Sequence, residues 1–481
     1  MSDKNKRPKA GPMGWLFAID WAMVAFVFSL CGIAFAYGVA TMKLKIFPYH
    51  VIENAKAAVA SLSGIEDEDV MISLNKMDEK AKPVPIVKTL DPTAGSELLL
   101  VTRGPNQDAK NCPQFGCLAQ IINRRGDILH SWPLPLDGLF SDVKGFTGNT
   151  QVHNFYPVGL QLMLDGSLIA TFHGRNMYPY TVGIARISRD GKIMWKHIDH
   201  AHHWFVTGAD GRTFAPVQID TKMEYFGDSD VDVRCKTPVY DEGIRVYRAD
   251  GTVEKTLLVI KALSEGGYHG LLYGLRDDCD PIHINSVDLV TPEIAAKLPG
   301  VDAGDLLVSL REPSTIAIMD KDDGHVKMLE TGRTAAQHSA HFLPDGTVVA
   351  FDNRGGSKKT GGSRIARINL MTGEAQTVFP GANAQAIAPF YSTDGGHIMV
   401  SPDGKRIMIS SKDESRDIEI DAATGKPLWT MTHISDVGPF LDGDGKDVKP
   451  VAAWFKSYGT YYVTAEQARG LKLGGAGRSA H

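Results

Sequence analysis

Short apolar strands folded over Asp-Gly turns recur along this chain, and that recurrence restricts its fold more than any other feature. The clearest copy is Gln337-His338-Ser339-Ala340-His341-Phe342-Leu343-Pro344-Asp345-Gly346-Thr347-Val348-Val349-Ala350-Phe351-Asp352-Asn353. A histidine opens an apolar strand, Pro-Asp-Gly turns it, and a β-branched strand returns to Phe-Asp-Asn. Asp-Gly between two such runs signals a hairpin, because both residues tolerate the backbone conformations of a tight turn. Related turns stand at Asp165-Gly166, Asp190-Gly191, Asp210-Gly211, Asp250-Gly251, Asp323-Gly324 and Asp403-Gly404, with variants at Gly126-Asp127, Thr372-Gly373 and Thr424-Gly425. Two hairpins make a four-stranded unit, and units recurring every ~40 to 80 residues predict an all-β chain folded as a six-bladed β-propeller. The propeller is expected over residues 96–465. Its fourth unit starts at His283, its fifth at His338 and its sixth near His397, and Val451–Phe455 or Tyr461–Thr464 could supply a strand that closes the ring. The Gly-rich segment 466–481 reads as a flexible tail.

A different kind of sequence precedes the repeats. From Trp15 to Ala40 the only charge is Asp20, and the run exceeds the ~20 residues that cross a bilayer as a helix. It predicts one transmembrane helix at 14–41. The basic tail 1–13, with Lys4, Lys6, Arg7 and Lys9, stays cytoplasmic by the positive-inside rule, which exports the rest. A cleaved signal peptide ending at Ala34-Phe35-Ala36 is the alternative. Residues 42–95 read as a helical stalk and connector, with an amphipathic helix at 51–60 and proline-containing chain near Lys82-Pro83-Val84-Pro85. Whether the apolar helix meets a membrane-protein partner or a second copy of the chain is left open.

The net charge is -5 and both signs are dispersed, so there is no basic face for nucleic acid. Of five cysteines, Cys31 falls inside the apolar run. The remaining four lie in an oxidising compartment if exported, which predicts a Cys112–Cys117 disulfide and, as the remaining pair, Cys235–Cys279. Neither pair has the double Cys-x-x-Cys spacing of a zinc site, so no metal is expected.

In a propeller the first strand of each blade lines the central channel, so residues that open those strands converge. The candidates are His153, His202, His203, His283, His338, His341 and His397. His203 and His338 each stand seven residues before the Asp of their turn and His397 six, which turns His397 to the other side of a regular strand. Arg311 ends the second strand of the fourth unit, and its fixed charge and fork of donors suit an oxyanion such as sulfate or phosphate.

His202-His203-Trp204-Phe205, His283-Ile284-Asn285-Ser286-Val287, Val308-Ser309-Leu310-Arg311 and the hairpin opened by Gln337-His338 occur in an order that resembles the bacterial arylsulfate sulfotransferases. The resemblance covers about residues 96–435. It implies a six-bladed propeller in the periplasm, to which the apolar run adds a single-pass anchor in the inner membrane. It further implies transfer of a sulfuryl group from a phenolic sulfate donor to a phenolic acceptor through a transiently sulfated His338, with no cofactor. His283 and Arg311 would hold the sulfuryl oxygens, and His203 or His202 would complete the catalytic group. His153, His341 and Asn285 are the substrate-binding candidates. Ser339 stands where the family commonly carries an acidic residue. Consistent with a donor other than a nucleotide, the chain has no Gly-x-x-x-x-Gly-Lys-Ser/Thr loop. Two other readings use the same residues: a catalytically silent, membrane-anchored propeller acting as a binding or assembly subunit, and a metal or quinone enzyme with histidine ligands.

Overall fold

The computed structural model describes residues 20–44, 46–48, 85–105, 107–108, 110–113, 115–139, 147–148, 155–174, 177–221, 239–275, 280–356, 359, 361–381, 391–437, 440–441, 447–448 and 451–473. The chain forms two units, 1–63 and 64–481. In the first, one helix spans Trp21–Leu44. Asp20 caps it, its Oδ1 accepting the backbone N–H groups of Ala22 and Met23 at 3.1 Å. These donors have no partner inside a helix, and a carboxylate suits the positive end of the helix dipole. The acid in the apolar run is thus an end cap rather than a charge within the span. Trp21–Thr41, 21 residues, is long and apolar enough to cross a membrane, about 32 Å at 1.5 Å per residue. The basic tail and the helix expected at 51–60 lie outside the described residues.

The second unit is a six-bladed β-propeller of antiparallel sheets, five of four strands and one of five. The innermost strands are Thr460–Val463, Phe155–Leu162, Val206–Thr207, Ile284–Leu289, His338–Phe342 and His397–Val400, one per blade. The middle strands read as continuous apolar runs because neighbouring blades cover both of their faces. In Leu306–Leu310 every residue is buried. Leu306, Val308 and Leu310 pack toward Ile244 and Val246 of the third blade, while Leu307 packs toward Ala340 and Val348 of the fifth. Burial of apolar area on both faces, at ~25 cal/mol per Å², holds blade against blade.

The ring is closed by strand exchange between the two ends of the repeat region. Thr460–Val463 pairs with Leu98–Thr102, with Val463 opposite Leu98, so the first blade takes its inner strand from late in the chain. Glu419 of the sixth blade, fully buried, fastens this seam. It accepts from Tyr462 Oη at 2.9 Å and Gly95 N–H at 3.0 Å, and is ion-paired with Arg124 and Arg406. Glu419→Ala would leave the largely buried Arg124 guanidinium without its carboxylate, while Arg406 keeps Glu97 and Asp403, so a loss of roughly 3 kcal/mol is expected, read as a lower unfolding midpoint in denaturant.

Two segments depart from the sequence reading. Ile86–Thr89, inside the expected connector, pairs with Pro427–Thr432 as a fifth, outermost strand of the sixth blade. Four residues following prolines carry little strand signal, and an outer strand buries too little to show alternation. In the expected flexible tail, Ala465–Gly470 is a helix opened by a capping box in which Thr464 and Gln467 exchange side-chain-to-backbone hydrogen bonds of 3.2 and 2.9 Å. Cys112 and Cys117 form a disulfide. Cys235 and Cys279 lie outside the described residues.

Candidate active site

His203, His283 and His338 each precede or open an inner strand, and unusual backbone turns them into the channel. His338 pairs with Phe351 and Ala340 with Ala350, so Ser339 is an extra residue, with φ 51°. In the fourth blade Ile284 pairs with Leu310 and Ser286 with Ser309, so Asn285 is the extra residue, and His283 before it has φ 52°. His203 has φ 50°. A bulge breaks the period-two alternation and re-aims the side chain beside it. Positive φ at non-glycine residues costs on the order of 1–3 kcal/mol and persists only where the surroundings enforce it.

Those surroundings are specific. Thr171 Oγ1 donates to the His203 carbonyl at 2.6 Å. Gly159 approaches the same carbonyl so closely that a Cβ there would lie 2.3 Å from it. Asn285 Nδ2 donates to the Gln337 carbonyl at 2.7 Å, and Gln337 Nε2 donates to Leu310 O at 2.9 Å and Thr315 O at 3.1 Å. The fourth and fifth blades are therefore locked together one residue before His338.

The three rings meet at the channel mouth. His203 and His283 have centroids 4.9 Å apart, and each lies 6.5 Å from His338. With Arg311 they line one cavity of about 320 Å³. Arg311 Nη1 is ion-paired with Glu312, while its buried Nε has no hydrogen-bond partner among the described residues. Lys412, ion-paired with Asp394, adds a second cation, and Tyr156, Trp204 and Tyr458 supply aromatic wall. Cations at the histidine mouth and aromatic faces beside them suit a ligand that joins an aryl ring to an oxyanion.

His338 is held in one protonation state. Asn353 Nδ2 donates to the carbonyls of Ser392 at 3.1 Å and Gly395 at 2.8 Å, so its Oδ1 must face His338 Nδ1, 2.8 Å away. Nδ1 accordingly carries the hydrogen. Nε2 carries the lone pair and accepts the Gly395 N–H at 3.2 Å. Burial, followed by the Arg311 and His283 charges, pushes the imidazole pKa down to about 3. The ring is therefore neutral with a nucleophilic Nε2 at ordinary pH. In Asn353→Asp a carboxylate would face Nδ1 and favour the imidazolium, raising this pKa by roughly 1–3 units. The neutral form is lost as pH falls through the raised value, so the acid limb of the rate profile should move upward; a limb unchanged from the parent would contradict this.

Behind the front rings lies a buried acidic and imidazole network. Asp280 Oδ2 accepts from His283 Nδ1 at 2.7 Å, and Tyr180 Oη lies 3.3 Å from both. Burial would raise the Asp280 carboxyl, but the His283 charge and hydrogen bond outweigh it and hold it below the usual range. Burial, then the Asp280 charge, pushes the Glu242 carboxyl well up, and it accepts the Ile284 N–H. His202 is fully buried behind His203 and does not line the cavity; their Nδ1 atoms are 2.7 Å apart.

His173, His202 and His203 offer ring nitrogens within 4.8 Å of one another, a grouping able to hold a metal ion. Two ligands at ~2.05 Å on a tetrahedral metal would sit about 3.3 Å apart. The 2.7 Å between His202 and His203 instead fits one shared hydrogen.

Of the other expected residues, Asn285 is buried beneath the cavity and ties the strand before His338. His341 lines a different cavity, beyond Trp204, together with His397. The His397 strand is regular, with His397 opposite Ser410 and no bulge. His153 lies outside the described residues. Sequence reasoning missed His173, Tyr180, Asn353 and Lys412. Three had a signal: like Arg311, which follows the second strand of its blade, His173, Asn353 and Lys412 stand at or just after the ends of second strands, Leu168–Gly174, Val348–Asp352 and Arg406–Ser411. Tyr180 sits between strands and had none.

Residues 274–434 match the family model for arylsulfotransferase (ASST). No curated protein matches the chain. Among solved structures, a protein of unknown function from Bacteroides caccae aligns with 13% identity over 70% of this chain and 93% of its own, with a TM-score of 0.43. TolB from Acinetobacter baumannii aligns with 10% identity over 76% and 66%, with a TM-score of 0.40. Virginiamycin B lyase from Staphylococcus aureus aligns with 13% identity over 57% and 69%, with a TM-score of 0.33. The matched segment, about a third of the chain, holds His283, Arg311 and His338, and over that segment the chain is similar to the arylsulfotransferase family.

Proposed function

We propose that this protein moves a sulfuryl group from a phenolic sulfate ester to a phenolic acceptor in two displacements, through a sulfohistidine at His338. The observation that carries the reading is the held tautomer of His338, a neutral ring whose Nε2 lone pair lies in the cavity shared with Arg311. In the first displacement Nε2 forms a bond to sulfur while the bond from sulfur to the aryl oxygen breaks. The leaving phenolate takes a proton from His283, whose Nδ1 is engaged by Asp280. The Gly395 N–H passes from Nε2 to a sulfuryl oxygen, and Arg311 and His203 meet the charge on the remaining oxygens. In the second displacement the acceptor phenol returns a proton to His283 as its oxygen attacks sulfur and the N–S bond breaks. Splitting one transfer into two is covalent catalysis and requires no cofactor.

Asn285 is a positioning residue in this scheme, acting through Gln337. The shared cavity also supports catalysis over the silent-scaffold reading, which would scatter these four groups. The basic N-terminal tail supports an orientation with the propeller in the periplasm; a reporter fused after the propeller that matures only outside the cytoplasm tests it. The activity is tested with 4-nitrophenyl sulfate with and without added phenol. Nitrophenol release that accelerates with phenol supports transfer, and no release across a broad acceptor panel would return the silent subunit as the better reading.

A further inference from the structure

Trp204 is a partition. It lines the histidine cavity on one side and a second cavity, of about 150 Å³, on the other. Its indole N–H donates to Tyr458 O at 3.1 Å, and its ring lies 6.3 Å from His338 and 5.0 Å from His397. We propose that the second cavity binds one small neutral aromatic alcohol of phenol size.

Volume sets the size, since about 150 Å³ of apolar cavity accommodates a single benzene ring. The walls set the class: Leu160, Leu162, Val287, Met399 and Tyr461 surround the space with hydrocarbon and ring faces. The polar groups set the hydroxyl. His397 is buried, lines the cavity, and keeps Nδ1 without a hydrogen-bond partner among the described residues. Burial, then the neighbouring His341, holds its pKa well below the usual value, so the neutral ring has one donor and one acceptor to offer. The Asp288 carboxylate, 3.1 Å from His341 Nδ1, also lines the space and disfavours an anion.

Ser339, His341 and Asp288 form a hydrogen-bonded series, with Ser339 Oγ 3.2 Å from His341 Nε2. The serine oxygen nevertheless accepts the Ile398 N–H and donates to Ile398 O, both at 3.1 Å, and does not line the cavity. This is a binding site rather than a second nucleophile. The inference stands independently of the sulfuryl reaction.

The test is titration of 4-fluorophenol into the full chain carrying His338→Asn, in one detergent, read by fluorine NMR with 4-nitrophenyl sulfate in excess to fill the histidine cavity. Saturable binding should persist. It should weaken at least about tenfold in Met399→Trp, which fills the space from a half-buried position, and in His397→Leu, which removes the hydroxyl partner. If Met399→Trp does not fold, His397→Leu carries the comparison. Loss of all binding when the sulfate ester saturates, or equal affinity in parent and variants, overturns the proposal. If the sulfate ester does not bind at all, the reading of the histidine cavity fails, while the two variants still decide this one.

Discussion

In His338→Asn, release of 4-nitrophenol from 4-nitrophenyl sulfate is expected to fall by about ten-thousand-fold or more, because loss of a covalent nucleophile removes the pathway rather than slowing it. Arg311, His283 and His203 would still bind the sulfate ester, so the affinity for the unreacted donor should change far less than turnover. The fold should survive. His338 sits at a strand mouth and faces a cavity, and its loss leaves Asn353 Oδ1 without its partner at a cost of roughly 1–3 kcal/mol. A cooperative unfolding transition near that of the parent, together with absent turnover, is the expected pair of results. Full turnover in the variant would remove His338 from the mechanism.

Arg311→Gln is expected to lower turnover by about 100- to 1000-fold, the usual effect of removing one donor aimed at developing charge. In the proposed mechanism two features set this residue apart from the other oxyanion groups. Its Nε is buried with no hydrogen-bond partner among the described residues, so a donor of a cavity-lining residue is already desolvated. Its charge also helps keep His338 neutral. Glutamine retains part of the side-chain volume and an amide NH2 group but no charge. The loss should therefore appear in the rate of sulfuryl transfer measured at saturating donor. A variant that binds the donor less tightly but turns it over at the parental rate would make Arg311 a binding group alone.

The propeller was legible because hairpin chemistry is local. Asp-Gly turns and their variants with β-branched returns mark each blade whether or not the neighbouring blade is known, and the closing strand at Tyr461-Tyr462-Val463 is marked by its aromatic and β-branched residues. Ile86–Thr89 was not legible because its pairing partner lies more than 300 residues away and it buries little. In the site, residues opening inner strands were readable from spacing to the turn. That rule fails where a bulge is not visible in sequence. Ser339 and Asn285 are extra residues whose positions depend on Gln337, Asn285 and the Leu310 carbonyl meeting across two blades. It also fails for His341, which follows the bulge and faces the far side of Trp204. Asn353 stood in plain view as the last residue of Phe-Asp-Asn, yet its role depends on two carbonyls from the segment 392–395. Asp280 and Tyr180 converge on His283 through connections that no local pattern encodes.

The central claim is that Nε2 of His338 bonds to sulfur. Mixing the unmodified protein with 4-nitrophenyl sulfate in the absence of acceptor, quenching into alkali, where an N-sulfated imidazole is expected to outlast its acid lability, and mapping the peptides by mass spectrometry tests it directly. A peptide containing His338 should carry an added mass of about 80 Da that disappears when phenol is added before the quench, as a covalent intermediate must. An adduct on His203 or His283, or nitrophenol released to added phenol with no protein-bound sulfuryl group at any quench time, would contradict the account.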